Sequence, residues 1–184
     1  MVEARPLGLD GVKEIMPRKI GDDRGYFSET YNATALAAHG IDLTFVQDNH
    51  SYSAAAGVLR GLHYQLPPHA QAKLVRVVRG RIFDVAVDIR RGSPDFGRWI
   101  GLEISAEKWN QMLVPAGFAH GFVTLEPDTE VIYKVTDIYS PEHDRSIRFD
   151  DPAIGIAWPV DTNGLELAAK DRDAPLLGDA TVFE

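Results

Sequence analysis

Apolar and polar positions alternate with a period of two through most of the chain, in short runs separated by turn residues. Runs at 26–31, 44–53, 58–64, 74–78, 82–89, 99–104, 111–114, 121–125 and 130–136 read as strands, because successive side chains of a strand point to opposite faces. Many short strands at even spacing predict an all-β barrel or sandwich. Two short helical pieces flank them. One spans 33–39, capped by Asn32 and closed by Gly40; the other is a turn opened by Ser105 ahead of Ala106 to Trp109, since Ser and Asn satisfy the first free N–H groups and Gly permits the left-handed exit. Arg79-Gly80-Arg81 is expected to close a hairpin, with Gly80 at positive φ. In the run that follows, Phe83, Val85, Val87 and Ile89 share one face, while Asp84, Ala86 and Asp88 share the other. Alternation alone leaves Asp84 either lining a cavity or on a solvated face.

Composition narrows the options. A chain of 184 residues with 45% hydrophobic content suffices for one core. One domain is expected across 1–184, with its core at about 15–160 and the segment 161–184 folding back toward the site. Nineteen Lys and Arg against 27 Asp and Glu give a net charge of −8, which argues against nucleic acid or an anionic membrane surface as a bulk partner. A phosphate ligand would have to be held locally by a few arginines. No apolar run approaches the roughly 20 residues that span a bilayer. The start, Met1 to Pro6, lacks the basic-then-apolar plan of a signal peptide, so a cytoplasmic location is expected. The absence of cysteine excludes disulfides, thiolate catalysis and Cys-ligated zinc.

The stretch from Gly57 through Arg60, Gly61, His63 and Gln65, with Lys73, Gly80 and then Pro115 to His120, resembles the cupins. These are double-stranded β-helix (jelly-roll) barrels whose metal-binding members carry G-x5-H-x-H, a Glu ahead of a later Gly, and P-x-G-x-x-H. His63 and His120 stand at two ligand positions, but Gln65 replaces the second His and Lys73 replaces the Glu. An ammonium aimed at the ligand cavity repels a divalent cation, and two histidines alone hold one poorly. No metal and no other cofactor is expected. The Lys73 cation is instead suited to stabilising an oxyanion on a substrate carbonyl, which leaves His63 free to act as a base.

Motifs from Asp22 to Glu29, Phe45 to Ser51, Gly61 to Gln65 and Lys170-Asp171 resemble the dTDP-4-dehydrorhamnose 3,5-epimerases, over roughly residues 15 to 175. The resemblance implies a dTDP-4-keto-6-deoxy sugar substrate whose carbons on both sides of the ketone are inverted. It makes His63 the general base, Asp171 its carboxylate partner, Tyr133 the proton donor on the opposite face, and Lys73 the group beside the C4 oxygen. The chemistry is consistent with those types, because a proton next to a ketone is removable only if the enolate is stabilised while a base waits in reach. Arg24 and Arg60 resemble diphosphate or sugar contacts, joined by Glu29, Gln47, Asn49, His120 and Lys170, with Phe27 and Tyr139 as walls for the thymine. Arg76, Arg79, Arg81, Arg90 and Arg91 lack that support and read as solvated charges. After Tyr139-Ser140-Pro141, Asp144 stands where the family pattern has a glutamate. The family also implies a homodimer in which an N-terminal strand passes between barrels.

Other readings stay open on the residues alone. A mono-epimerase would invert only C3 or C5. A metal-dependent cupin would use His63, His120 and a carboxylate, with Glu29 the nearest, and a sugar-binding cupin without turnover would use His63 and Tyr133 only to hydrogen-bond its ligand.

Overall fold

A computed structural model describes residues 2–184. Its strands, in chain order, are β1 (Glu3–Pro6), β2 (Lys13–Met16), β3 (Ile20–Asp22), β4 (Gly25–Phe27), β5 (Gln47–Ser53), β6 (Leu59–Gln65), β7 (Lys73–Arg79), β8 (Arg81–Asp88), β9 (Trp99–Ser105), β10 (Gln111–Val114), β11 (Phe118–Thr124), β12 (Thr129–Val135) and β13 (Asp144–Ser146). The helices are α1 (Ala33–Ala37) and α2 (Ala169–Arg172). A six-stranded sheet, β1-β2-β10-β7-β12-β5, faces a five-stranded one, β13-β6-β11-β8-β9, and β3 and β4 form a separate hairpin. Two antiparallel sheets closing on a shared core make the jelly-roll barrel that the cupin resemblance implied.

The core between the sheets follows from the alternation. Val75, Val77 and Val131 from one sheet meet Ile82, Ala86, Ile104, Phe118 and Phe122 from the other. The opposite face of the five-stranded sheet is also apolar, with Val85, Val87 and Ile89 buried under Ile154, Leu177, Ala180 and Val182 of the C-terminal segment. Leu59, Phe83 and Val123 lie likewise under Trp158, Leu165 and Leu167. A sheet covered on both faces needs apolar residues at consecutive positions, which is why β8 and β11 read as nearly continuous apolar runs. On the far side of the six-stranded sheet, Ile15, Leu74 and Leu113 are covered by Leu36 of α1 and by Ile41.

Local signals behaved as expected at α1, where the Asn32 side chain accepts from the Ala35 N–H at 3.1 Å, and Gly40 adopts φ +73°. The Arg79-Gly80-Arg81 expectation requires correction. Gly80 has φ +78°, but β7 and β8 belong to different sheets, so the turn carries the chain across the barrel. The sequence of the two strands suits a hairpin equally well, and only the neighbours each acquires, β10 and β12 for β7, β9 and β11 for β8, separate the two outcomes. The run at 26–31 is strand only to Phe27, and β1, β2, β3 and β13, each four residues or fewer, went unread.

Candidate active site

The inner face of the barrel changes character along its axis. One end is apolar, and the other is lined by Gln47, Asn49, His63, Gln65, Lys73, Tyr133, Tyr139, Asp144 and Lys170 around a cavity of about 400 Å³. A second cavity of about 230 Å³ shares His63, Lys73, Tyr133 and Lys170 and adds Ser51, Arg60, His120 and Asp171. Together they form one polar site with His63, Lys73 and Tyr133 at the junction.

A β-bulge sets the register of this site. Along β6 the pairing with β11 runs His120 to His63 but Phe122 to Arg60, so β6 carries an extra residue around Gly61. The slip turns both Arg60 and His63 toward the same cavity, although residues three apart on a regular strand face opposite ways. Gly61 is required there: its φ is +131°, and a Cβ would lie 2.5 Å from the Gly121 Cα. The Gly61 N–H donates to Asp171 Oδ2 at 3.3 Å, so the bulge also orients the carboxylate.

Asp171, 2% exposed, is delivered by α2, and its Oδ1 lies 2.5 Å from His63 Nε2. With Nε2–H donating to the carboxylate, Nδ1 of His63 carries the lone pair, which is the tautomer a general base needs. His120, paired with His63 across the strands, bonds Asp84 through Nε2 at 2.7 Å. Burial pushes the His120 imidazole below its usual range, against the pull of Asp84. Asp84 is fully buried and shares a face of β8 with Ala86 of the core between the sheets, so it faces the barrel interior. Lys73 lies on β7 in the opposite sheet, donates to the His63 carbonyl at 3.2 Å, and is lowered to about 8, chiefly by burial, with Asp144 and Asp84 opposing. Tyr133 on β12 is raised by burial, with Arg60 acting the other way, so its phenol is protonated at neutral pH and able to donate.

A metal does not fit this donor set. The buried Lys73 ammonium stands where it would repel a divalent cation, and no three His, Asp or Glu side chains converge among the described residues. Glu29, the carboxylate that the metal-dependent reading would need, accepts from Asn32 at 3.4 Å and lines a small cleft with Ile15, Phe27 and Tyr31.

A family model for dTDP-4-dehydrorhamnose 3,5-epimerase matches residues 6–179. The chain belongs to that family. It is 54% identical to the dTDP-4-dehydrorhamnose 3,5-epimerase of Sinorhizobium fredii over 93% of this chain and 87% of the relative. Against the Pseudomonas aeruginosa enzyme identity is 52% over 99% of both chains. A crystal structure of the Legionella pneumophila enzyme in complex with dTDP-4-keto-L-rhamnose superposes with a TM-score of 0.93 at 44% identity, covering 98% of this chain and 95% of that one.

Of the residues singled out from the sequence, the fold brings together His63, Asp171, Lys73, Tyr133, His120, Gln47, Asn49, Arg60, Tyr139, Asp144 and Lys170. It does not bring in Arg24, Phe27 or Glu29. Arg24 is exposed and paired with Asp22, and Phe27 is 65% exposed on β4, because the β3–β4 hairpin stands away from the barrel mouth of its own chain. Asp144 is held by Lys170 and by the Tyr139 hydroxyl at 3.2 Å. Among the arginines read as solvated, Arg90 binds the fully buried Asp88 at 2.6 Å and Arg76 stacks on Trp109. Sequence reasoning missed Ser51 and Gln71 as lining residues. Ser51 follows Gln47 and Asn49 at period two and was legible; Gln71 lies in a loop and had no signal.

Proposed function

We propose that this chain converts dTDP-4-dehydro-6-deoxy-D-glucose to dTDP-4-dehydro-β-L-rhamnose, an isomerase step in dTDP-rhamnose biosynthesis that uses no cofactor. The observation that carries this reading is that the side chains proposed as base and acid face one cavity from opposite sheets: His63 with Asp171 from β6 and α2, Tyr133 from β12. A sugar ring held between them is open on both faces. His63 Nδ1 takes a proton next to the ketone, the C–H electron pair moves toward the C4 oxygen, and the Lys73 ammonium stabilises the enolate. Tyr133 then delivers a proton to the other face, solvent reprotonates the resulting phenolate, and the His63 imidazolium returns its proton to solvent. A single base returning its own proton would regenerate the starting configuration.

The reading includes a homodimer in the cytoplasm. Arg24, Phe27 and Glu29 lie outside the pocket of their own chain, and the hairpin that carries the first two exposes Ile20, Tyr26 and Phe27. These features suit a hairpin that reaches a second copy and supplies diphosphate and thymine contacts there.

Proton NMR of the substrate with chelator-treated enzyme in deuterated water tests the activity. Deuterium at both C3 and C5 with rhamnose configuration is expected. Exchange at one carbon only would make the protein a mono-epimerase, and absence of exchange would overturn catalysis. His63→Ala is expected to abolish exchange at both carbons.

A further inference from the structure

Tyr139 presents its ring to the site from a segment with little packing of its own. Ile138 is 58% exposed and Tyr139 56% exposed, so apolar burial cannot fix their backbone. Side-chain amides hold it instead. Gln65 Oε1 accepts from the Ser140 N–H at 2.8 Å, while its Nε2 donates to the Ile138 carbonyl at 3.1 Å and the His69 carbonyl at 2.7 Å. Gln47 Oε1 accepts from the Tyr139 N–H at 3.0 Å, and Gln71 Nε2 donates to the Asp137 carbonyl at 2.8 Å. The Gln65 carboxamide thus does for Tyr139 what a peptide of a neighbouring strand would do, gripping the N–H and C=O on either side of it.

We infer that Gln65 is a positioning residue for nucleotide recognition, acting through Tyr139, and that its carboxamide is required for that duty. The residue is 3% exposed and uses both amide hydrogens and its oxygen, which no other side chain of that size offers. A glutamate there is isosteric but loses both donated bonds and sets a carboxylate against two carbonyls. A neutral imidazole has one donor and one acceptor, too few for the three backbone partners. At the position where metal-binding cupins carry a ligand, this chain has a clamp for the loop that carries the Tyr139 wall.

The inference rests on the reading of the cavity as a dTDP-sugar site, and the test separates the two. Calorimetric titration with dTDP alone, which lacks the reacting sugar, is run on the wild type, Gln65→Glu, Tyr139→Ala and the double variant, alongside turnover. Gln65→Glu is expected to weaken dTDP binding and raise KM by on the order of tenfold, since two lost buried donations are worth at least that much, with kcat within about threefold. In the Tyr139→Ala background the same change is expected to add less than about twofold, because coupled residues are not additive. If Gln65→Glu binds dTDP as the wild type does, lowers kcat instead, or adds its full effect without Tyr139, the inference is wrong. Failure of the wild type to bind dTDP would overturn the reading of the site itself. Should Gln65→Glu not fold, Gln71→Met, which releases only the Asp137 carbonyl, enters the same cycle with an expected loss of about threefold that likewise vanishes without Tyr139.

Discussion

Lys73 is under two opposing demands. The enolate-stabilising role proposed for it requires a cation, and burial disfavours one, which lowers this lysine to about 8. The ordinary value is 10.5. The folded protein therefore bears the cost of a buried ammonium at any pH below about 8, and the cost is relieved as pH rises from there toward 10.5, so this group's contribution to stability improves across that window. Activity runs the other way. The alkaline limb of kcat/KM, which reports free-enzyme groups, is expected near about 8 and to vanish in Lys73→Arg. Lys73→Met is expected to lose about 10²- to 10³-fold in rate, the scale of one preorganised oxyanion donor, while thermal unfolding at neutral pH shows no loss of stability. Tyr133→Phe separates the two half-reactions: wash-in of solvent deuterium persists while NMR shows inversion lost or the product shifted. The positions of His63 and Lys73 were legible from the cupin-like motif, whereas Tyr133 was picked out only by family resemblance. The pairing of His63 with Asp171, 108 positions apart, came from family resemblance, because no local pattern links a strand to a helix that far along the chain.

At the scale of elements, the decisive feature is the bulge in β6. Gly61→Ala brings together a strained positive φ and a Cβ against the backbone of Gly121, so a loss of about 2–5 kcal/mol is expected. Denaturant titration would measure it, and activity should fall further than stability because Gly61 both sets the His63 register and donates to Asp171. An unchanged midpoint would mean that β6 and β11 can separate at no cost. The strands themselves were legible because alternation survives any tertiary context in which one face is buried. The bulge was not, since a single extra residue leaves the composition of a strand untouched and is defined only by its partner.

At the scale of the molecule, the C-terminal segment does two jobs. It covers Val85, Val87 and Ile89 on the outer face of the five-stranded sheet, and through α2 it supplies Asp171 to the site. A chain ending at residue 167 is expected to lose all activity and to aggregate, because removal of Leu177, Ala180 and Val182 uncovers a contiguous apolar face. Size-exclusion chromatography and a solvent-exchange assay would show both effects. A soluble truncated chain that still exchanged protons would contradict the role given to Asp171.

The sequence by itself determined the all-β class, most strand positions, the cap of α1 and the residue types able to carry acid–base chemistry at a ketone. These depend on period, local hydrogen bonding and intrinsic pKa, which are properties of neighbours along the chain. Tertiary structure alone decided that β7 and β8 part into opposite sheets, that Arg60 and His63 share a face, that Asp84 turns inward, and that Arg24, Phe27 and Glu29 stand outside their own chain's pocket. Each of those outcomes is fixed by which strand a segment pairs with and what covers its other side, and that information lies in distant parts of the sequence.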